Sequence, residues 1–165
     1  MDKKASKKMS FIIRKGKKKD MPSVLKLIKE LAIFEKEPNA VEVLLEDLEK
    51  AGFCDRPLFK IYVAEMNNEV VGMALFYPRY STWKGPTIHL EDLIVAKEMR
   101  GLNIGTALYK KVLSYAFKKN VRRVEWVVLD WNKPAIDFYE KSGATVLRDW
   151  DTAQITREKI TNYLK

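Results

Sequence analysis

The sequence predicts an α/β fold in which a mixed central β-sheet of about six to seven strands is flanked by helices. Segments rich in β-branched and aromatic residues recur along the chain, and segments with apolar residues at helical spacing separate several of them. The resulting order, β-α-α-β-β-β-α-β-α-β-β, requires both parallel and antiparallel strand neighbours. With 165 residues, 47% of them hydrophobic, the chain is long and apolar enough for one packed domain.

The first half of the chain predicts a strand, two helices and a hairpin. Residues 11–16 form the first strand, and residues 21–36 have apolar side chains at helical spacing. Asp20 is the expected N-cap of that helix, with Pro22 in its first turn. The other predicted elements here are a helix at 40–52 and strands at 58–66 and 69–78, joined by the turn Asn67-Asn68.

The second half alternates strands with helices before ending in two strands and a helix. The helix over residues 132–143 has Asn132 as its N-cap and Gly143 as its stop. The other predicted elements are strands at 87–96, 121–130, 144–150 and 152–156 and helices at 104–119 and 157–165.

The net charge of +9 is confined mostly to one end of the chain. Residues 1–19 contain nine Lys or Arg and one acidic residue, whereas the remaining residues are almost neutral. We therefore predict a basic tail over residues 1–10 and a single domain over 11–165. The tail is either solvated or an arm that tethers the protein to RNA, but it lacks the interleaved aromatics of a base-stacking surface.

Several classes of protein and site are disfavoured by composition. One cysteine, Cys54, cannot form an internal disulfide framework or a cysteine zinc cluster, and one histidine, His89, gives little support for a metal site. We interpret Cys54 as a small apolar residue and expect a reducing, cytoplasmic setting. No apolar run is long enough to span a membrane, and no secretory signal is present.

Residues 88–111 combine a strand, a loop and a helix, and Met99–Leu108 spans the junction between the loop and the helix. Gly101 and Gly105 allow the backbone to approach a ligand closely, and the first turn of a helix presents unpaired N–H groups. Together with Arg100, this arrangement suits a phosphate group.

Residues 100–105 resemble the Arg/Gln-x-x-Gly-x-Gly/Ala signature of the GNAT superfamily of acyl-CoA-dependent N-acetyltransferases, with Asn103 in place of the middle glycine. Asparagine tolerates positive φ well, so the turn can be kept. The resemblance implies that acetyl-CoA is the co-substrate and that no metal is needed. The implied cofactor-binding residues are Leu93, Ile94, Val95, Arg100, Gly101, Leu102, Asn103, Ile104, Gly105, Thr106, Asn132, Lys133, Pro134 and Ala135.

Four blocks extend this likeness over roughly residues 11–160. The blocks "LIKELAIFE", "HLEDLIV", "RGLNIG" and "VLDWNKPAIDFYEKSGA" are similar to the spermidine/spermine and thialysine acetyltransferase branch. The resemblance implies a small-molecule amine acceptor and a homodimer, while composition and charge distribution predict no membrane partner and disfavour a nucleic-acid partner.

Amine acetylation needs a proton acceptor, because an alkylammonium with a pKa near 10 is mostly charged at pH 7. Supplying the neutral amine costs about 4 kcal/mol. Glu91 is the leading candidate for this base, and the resemblance supports that role. Strand alternation predicts that His89, Glu91, Leu93 and Val95 share one face of the sheet, with Asp92 on the other.

The second predicted catalytic residue, Tyr139, matches the tyrosine that hydrogen-bonds the CoA sulfur in the family. A phenol is a weaker acid than a thiol, so a hydrogen bond to the developing thiolate is favoured over full proton transfer. From the helical pattern alone, Tyr139 is a core aromatic residue.

The resemblance also implies an acceptor site lined by acids and aromatics, which suits a cation. Ser81 and Arg148 replace or offset acids of the polyamine enzymes, so a diamine, an amino acid analogue or a lysine-like thioether fits at least as well as a polyamine. The implied acceptor-binding residues are Phe34, Glu35, Trp83, Glu91, Glu125 and Trp126.

Two other functions remain open at this point. One keeps the chemistry but takes a protein lysine or N-terminus as acceptor. The other is an RNA- or ribosome-binding protein that uses the basic tail and has the fold only as a scaffold.

Overall fold

The computed structural model describes residues 10–165, which divide into two compact units, 10–127 and 128–165. Residues 1–9 of the predicted basic tail lie outside the described residues. Within residues 10–165, no helix combines the length and the apolar composition needed to cross a bilayer.

The first unit contains a five-stranded sheet of order β1-β2-β3-β4-β5. Neighbouring strands are antiparallel except for β4 and β5, which are parallel. This confirms the mixed α/β fold class. The strands are β1 (Ile12–Lys15), β2 (Lys60–Met66), β3 (Glu69–Ser81), β4 (Gly85–Val95) and β5 (Val124–Glu125), and the helices are α1 (Met21–Phe34), α2 (Leu45–Gly52) and α3 (Ile104–Lys118).

The hairpin between β2 and β3 turns at the predicted dipeptide. Asn67 and Asn68 have φ values of 52° and 65°, as a two-residue turn between twisted strands requires. Asparagine is one of the few non-glycine residues that adopt this region readily, so the turn fixes the register of the strands on either side.

One face of the sheet packs against α1. Val24 and Leu27 of α1 are buried with Val63, Met73 and Ile94 of the sheet, in keeping with the apolar spacing of residues 21–36. Because these strand positions alternate, the opposite set of side chains points to the other face.

The second face packs against α3. Leu108 and Val112 are fully buried, and the ring of Phe76 lies 5.4 Å from that of Tyr62 and 5.1 Å from that of Tyr115. The sheet is therefore enclosed by a helix on each side, which leaves the ends and edges of its strands as the exposed parts of the backbone.

The start of α1 is held by an ion-pair network rather than by the predicted cap. Asp20 occupies the N-cap position but makes no side-chain cap bond. Its carboxylate, only 5% exposed, accepts from the Arg14 guanidinium at 2.6 and 2.9 Å and from the Lys17 amide at 2.7 Å. Arg14 also donates to Glu65, at 2.6 Å from Nη2. Asp20 thus joins α1 to β1 and, through Arg14, to β2. The predicted cap is wrong in one respect, because the Asp20 carboxylate binds Arg14 and Lys17 and not an amide of α1.

A β-bulge interrupts β4 at Glu91. Phe76 is paired with Leu90 and Leu75 with Asp92, so Glu91 is an extra residue without a partner on β3. In a bulge, two residues on one strand lie opposite a single residue on the other. Side chains after the bulge therefore point to the face opposite to the one that regular alternation predicts, and the local twist increases. The pairing of β5 with β4, confined to Ile88–Val124 and His89–Glu125, ends immediately before this bulge.

The second unit contains α4 (Lys133–Lys141) and α5 (Arg157–Tyr163). Asn132 caps α4 by accepting from the Ala135 amide at 3.4 Å, and Gly143, with φ of 93°, follows its end as predicted. Both predicted helices of this part of the chain are confirmed.

The sheet has five strands in the described chain, not six to seven, because residues 144–150 and 152–156 form no strand pairing. A β-like pattern becomes a strand only with a hydrogen-bonded neighbour, and here Leu147, Trp150 and Ile155 stay exposed. The predicted strand at 121–130 is reduced to β5, whose pairing with β4 stops before the bulge.

Two smaller expectations also differ from the structure. The second helix begins at Leu45 instead of residue 40, because the Leu44 amide binds the Asp47 carboxylate at 2.9 Å and starts the helix there. Cys54 is exposed and not a core residue. It lies in the irregular connection between α2 and β2, where the backbone provides no apolar face for it.

Replacing Asp20 by Asn is expected to destabilise the fold by about 2–3 kcal/mol, because the Arg14 guanidinium would lose its buried anion. Hydrogen bonding to Arg14 lowers the pKa of Asp20, so the ion pair stabilises the fold above the unfolded-state pKa of about 4 and is lost as the pH falls further. Urea unfolding from pH 3 to 7 should therefore show a flatter pH dependence for Asp20→Asn. The exposed Asp55→Asn serves as the control, and an unchanged unfolding free energy for Asp20→Asn would contradict the network's role.

Candidate active site

The bulge in β4 brings carboxylates together on the α1 side of the sheet. Asp92 is paired with Leu75, whose side chain belongs to the core against α1, so Asp92 points to that face. Burial and the nearby charges of Glu91 and Glu35 raise the pKa of Asp92 to about 6. Loss of hydration also raises the pKa of Glu35 at the end of α1. The carboxylate cluster, Glu35, Glu91 and Asp92, can therefore bind a cation and accept a proton near neutral pH.

Strand alternation was wrong about these faces. It predicted Asp92 on the face opposite His89 and Glu91, whereas the bulge places Asp92 and His89 on the same side. Leu93 and Val95 point the other way, since a Cβ built on Gly72 or Gly105 would meet Val95 on the α3 side. Sequence reasoning therefore missed Asp92. The sequence signal for Asp92 was the pair of consecutive acids, Glu91 and Asp92, inside an apolar strand. In a regular strand with both faces packed, one of the two carboxylates would be buried without compensation.

Glu91 is held by two rings on neighbouring strands. The Tyr77 hydroxyl donates to Glu91 Oε2 at 2.7 Å, and His89 Nε2 lies 3.5 Å from the same oxygen. Tyr77 and His89 are paired across β3 and β4, with their ring centroids 5.2 Å apart. Burial and the hydrogen bond to Glu91 raise the pKa of Tyr77 to about 12, so the phenol remains a donor. The carboxylate is thus fixed at the point where β4 leaves its regular pairing.

The loop after β4 leads into the open end of α3. Gly101 has φ of 81° and Asn103 has φ of 63°, so Asn103 adopts the left-handed conformation that the sequence allowed. The first intrahelical bond runs from the Ala107 amide to the Asn103 carbonyl at 3.0 Å. The amides of residues 104–106 precede that bond and can donate to an anion.

Arg100 is anchored beside this loop. Its Nε donates to the Val95 carbonyl at 3.1 Å, its guanidinium lies 5.3 Å from the centre of the Phe34 ring, and Nη2 is 4.0 Å from a Glu30 oxygen. The end of β4, the loop and the end of α1 are thereby tied together, and Phe34 and Arg100, both predicted site residues, come into contact.

The predicted pantetheine-binding residues 93–95 lie beyond the point where β5 stops pairing with β4. β5 ends at Glu125, so β4 continues past it for several residues toward the α3 loop. An extended ligand can pair with a strand edge of this kind.

The remaining predicted acceptor residues of the first unit are spread over the strand ends. Glu125 lies beside His89 in the parallel pair, and both of its oxygens are engaged, by Arg79 and Arg123 at 2.8 Å each. Trp126 follows it and contacts Tyr109 edge to face at 5.7 Å. Trp83 lies in the β3–β4 turn and is 78% exposed. A direct contact of Glu125 with a cationic acceptor would require one of its ion pairs to open, and this role stays a prediction.

The other predicted site residues lie in the second unit. Residues 132–135 form the capped first turn of α4, where Lys133 is paired with Asp137 at 2.8 Å. Tyr139 is buried on the same helix, next to Phe138 at 5.2 Å, and its carbonyl accepts from the Ser142 hydroxyl at 2.6 Å. Their catalytic and cofactor-binding roles stay predictions.

Comparison with known proteins decides the family. A profile described as the acetyltransferase (GNAT) family matches residues 23–144. The chain belongs to the GNAT acetyltransferase family. It is 41% identical to the bovine thialysine N-epsilon-acetyltransferase over 150 residues, which cover 86% of this chain and 88% of the bovine protein. As a GNAT acetyltransferase it is an enzyme of the acyltransferase class.

Two further curated relatives of this GNAT enzyme differ in coverage. The human spermidine/spermine N(1)-acetyltransferase-like protein 1 is 34% identical over 160 residues, 91% of this chain but 23% of that protein. The Arabidopsis thaliana L-ornithine N5-acetyltransferase NATA1 is 32% identical over 125 residues, 75% of this chain and 52% of the plant protein.

Solved structures support the fold. An integron cassette protein from Vibrio cholerae superimposes with a TM-score of 0.77 at 23% identity, covering 95% of this chain and 99% of its own. An aminoglycoside N-acetyltransferase solved in complex with CoA gives a TM-score of 0.72 at 16% identity, covering 91% and 97%. GNAT acetyltransferases use acetyl-CoA as the acetyl donor, so this GNAT chain is expected to use the same donor.

Replacing Asp92 by Asn is expected to stabilise the fold by about 2 kcal/mol above pH 6, since the wild-type carboxylate is ionised there in a desolvated position beside two acids. Folding raises this pKa, so the wild type loses stability as the pH rises from about 4 to 6, whereas the variant does not. Urea unfolding at pH 4 and 7.5 measures the difference, which should vanish at pH 4. A variant less stable than the wild type at pH 7.5 would contradict this electrostatic account.

Proposed function

We propose that this enzyme transfers the acetyl group of acetyl-CoA to the primary amine of a small cationic acceptor, a diamine, polyamine or thialysine-like amino acid, by direct attack in a ternary complex. The observation that carries the proposal is the carboxylate cluster at the β4 bulge, next to the strand that leads to α3. The relatives named for thialysine, spermidine/spermine and L-ornithine acetylation support a small amine as acceptor.

The proposed CoA site follows β4 into α3. The pantetheine arm pairs with residues 93–95, and the pyrophosphate lies on the amides of residues 101–106 with Arg100 beside it. The residues fit this group, because Gly101 and Asn103 turn the backbone with positive φ and the first α3 amides are ahead of the helical hydrogen bonds. By the motif in the second unit, residues 132–135 add contacts to pantetheine.

The acceptor ammonium is proposed to bind at the carboxylate cluster. Three acids close together, one with its pKa raised to about 6, form a region where a cation is stabilised and where a carboxylate is at hand to accept its proton. Phe34, next to Arg100 at the end of α1, provides aromatic surface over which a cation can lie, and Trp83 stays a predicted acceptor residue.

In the proposed step, the amine nitrogen loses a proton to Glu91 and attacks the thioester carbonyl carbon. The new C–N bond forms as the C–S bond breaks, and the nitrogen gives up its second proton to the leaving thiolate, which leaves as the CoA thiol. Glu91 is fixed by Tyr77 and half exposed, so a direct or water-mediated transfer can reach it. Tyr139 is proposed to hydrogen-bond the developing thiolate, by its match to the family motif.

Asp92 is a second candidate base, and its pKa of about 6 favours it, since an efficient general base titrates near the working pH. The acidic limb of kcat/KM distinguishes the two carboxylates. A midpoint that persists near pH 6 in Glu91→Gln and disappears in Asp92→Asn assigns the proton to Asp92.

The assembly and location of the enzyme are proposed from the family resemblance of the sequence. We propose a homodimer, as in the branch the sequence resembles, with exposed Trp150 and Tyr163 available on the second unit. An exposed, unpaired Cys54 is compatible with the reducing cytoplasm.

The proposed function is tested by CoA release from acetyl-CoA with a panel of diamines, polyamines, amino acids with side-chain amines, and lysine peptides. Turnover with a small amine supports the proposal. Turnover with peptides alone supports a protein acetyltransferase. Salt-sensitive RNA binding that is lost without residues 1–19, with no CoA release on any acceptor, supports the binding-protein alternative.

Glu91→Gln is expected to reduce kcat most at neutral pH and to recover as the pH approaches the amine pKa of about 10, where the neutral nucleophile is supplied by solution. Steady-state assays from pH 6.5 to 10 measure this. Glu98→Gln, an exposed acid in the loop before Arg100, controls for a general change in charge. A loss of the same size at every pH would argue against Glu91 as the base.

Gly105→Glu is expected to weaken CoA binding at least about a hundredfold, because a carboxylate would lie at the proposed pyrophosphate site. The fold should persist, since a Cβ at Gly105 would meet only Val95 Cγ2, at an ordinary 3.7 Å, and an acid suits the first turn of a helix. Calorimetric titration with CoA measures the affinity, and Gly105→Ala is the matched control. Unchanged CoA affinity in Gly105→Glu would show that the pyrophosphate does not bind at this loop.

A further inference from the structure

A second charged cluster lies on the strands next to the carboxylate cluster. Arg79 of β3 and Arg123, just before β5, share the carboxylate of Glu125: Arg79 Nη1 lies 2.8 Å from Oε1, and Arg123 Nη2 lies 2.8 Å from Oε2. Two guanidinium groups against one carboxylate leave one positive charge uncompensated. Arg79 is 56% exposed and Arg123 38%, so the guanidinium groups of this arginine pair can be reached from solvent.

The hydrogen bonds of this region are incomplete. Within residues 10–165, two buried side-chain nitrogens have no hydrogen-bond partner, Arg123 Nε and His89 Nδ1, and both belong to residues next to Glu125. Leaving buried polar atoms unpaired costs free energy, so a network with only a structural role would be expected to satisfy them. Unpartnered buried polar atoms call for an explanation, and a ligand bound at this edge of the proposed active site would supply one.

The arginine pair and the carboxylate cluster lie on one face of the sheet. Tyr77, which holds Glu91, and Arg79 are two residues apart on β3, so both point to the same side and are separated by about 7 Å along the strand. His89, which also approaches Glu91, is paired with Glu125 in β5. A negative site and a positive site are thus arranged side by side.

A basic amino acid matches this arrangement. With C–C bonds of about 1.5 Å, an extended chain of lysine length separates its terminal nitrogen from its carboxylate by about 7 Å. The corresponding diamine keeps the second ammonium but lacks the carboxylate beside it, so two guanidinium groups with one shared anion would repel it with no compensating contact.

Resting on the proposed function, we propose that Arg79 and Arg123 form a carboxylate subsite that selects an amino acid acceptor over the corresponding diamine. The side-chain ammonium of that amino acid lies at Glu35, Glu91 and Asp92, and its α-carboxylate binds the two guanidinium groups. Glu125 holds the two arginines in position and competes with the substrate carboxylate.

The test compares acceptors that differ only in the carboxylate. L-thialysine is paired with bis(2-aminoethyl) sulfide, and L-ornithine with 1,4-diaminobutane, in steady-state assays of the full chain. Arg79→Gln and Arg123→Gln should each raise KM for the amino acids about ten- to hundredfold, with kcat nearly unchanged. KM for the diamines should stay the same or fall.

Arg122→Gln is the matched control, because it removes the same charge from an exposed neighbouring position and should change neither acceptor. Glu125→Gln provides a second test if an arginine variant does not fold. Because this change frees both guanidinium groups from the Glu125 carboxylate, it should lower KM for the amino acids and not for the diamines. Equal effects of the arginine variants on both acceptors, or a wild type that prefers the diamines, overturn the subsite. No CoA release by the wild type with either acceptor overturns the proposed function itself.

Discussion

The β-bulge at Glu91 is the constraint on which the arrangement of the site depends. Without it, the register set by the β3–β4 turn would carry through β4, and Asp92 would point toward the α3 side of the sheet. The extra residue lets β4 supply acids to one side of the sheet while Leu93 and Val95 remain packed on the other. It also ends the pairing with β5, so a single irregularity creates the acidic site and opens the strand beside it.

The two faces of the sheet provide different groups near the bulge. The α1 face carries charge, held in place by aromatic neighbours, whereas the α3 face supplies the helix entrance where backbone amides are available. Arg100 connects the two by contacting both the end of α1 and the end of β4. If the acyl donor and the amine bind as proposed, they approach the same strand from different directions, as direct transfer between them requires.

Local sequence patterns predicted the parts of the molecule that local physics determines. The Asn67-Asn68 turn, the left-handed Asn103 and the cap at Asn132 all follow from the conformational preferences of single residues, and the helix faces follow from apolar spacing. Alternation failed at Asp92 because a bulge depends on pairing with another strand. The extra strands predicted near the C-terminus failed for the same reason, since no periodicity in one segment shows whether a partner strand is present. The Arg79–Glu125–Arg123 contacts likewise depend on tertiary pairing.

The short pairing between β4 and β5 has a consequence for the enzyme without bound CoA. Hydrogen-bonding groups along the part of β4 that β5 does not pair with resemble those of an edge strand, the surface at which unrelated chains aggregate. A pantetheine arm laid along that edge would satisfy the same groups. CoA bound there would block this edge from pairing with other chains. Concentrated protein should therefore aggregate more slowly when CoA is present.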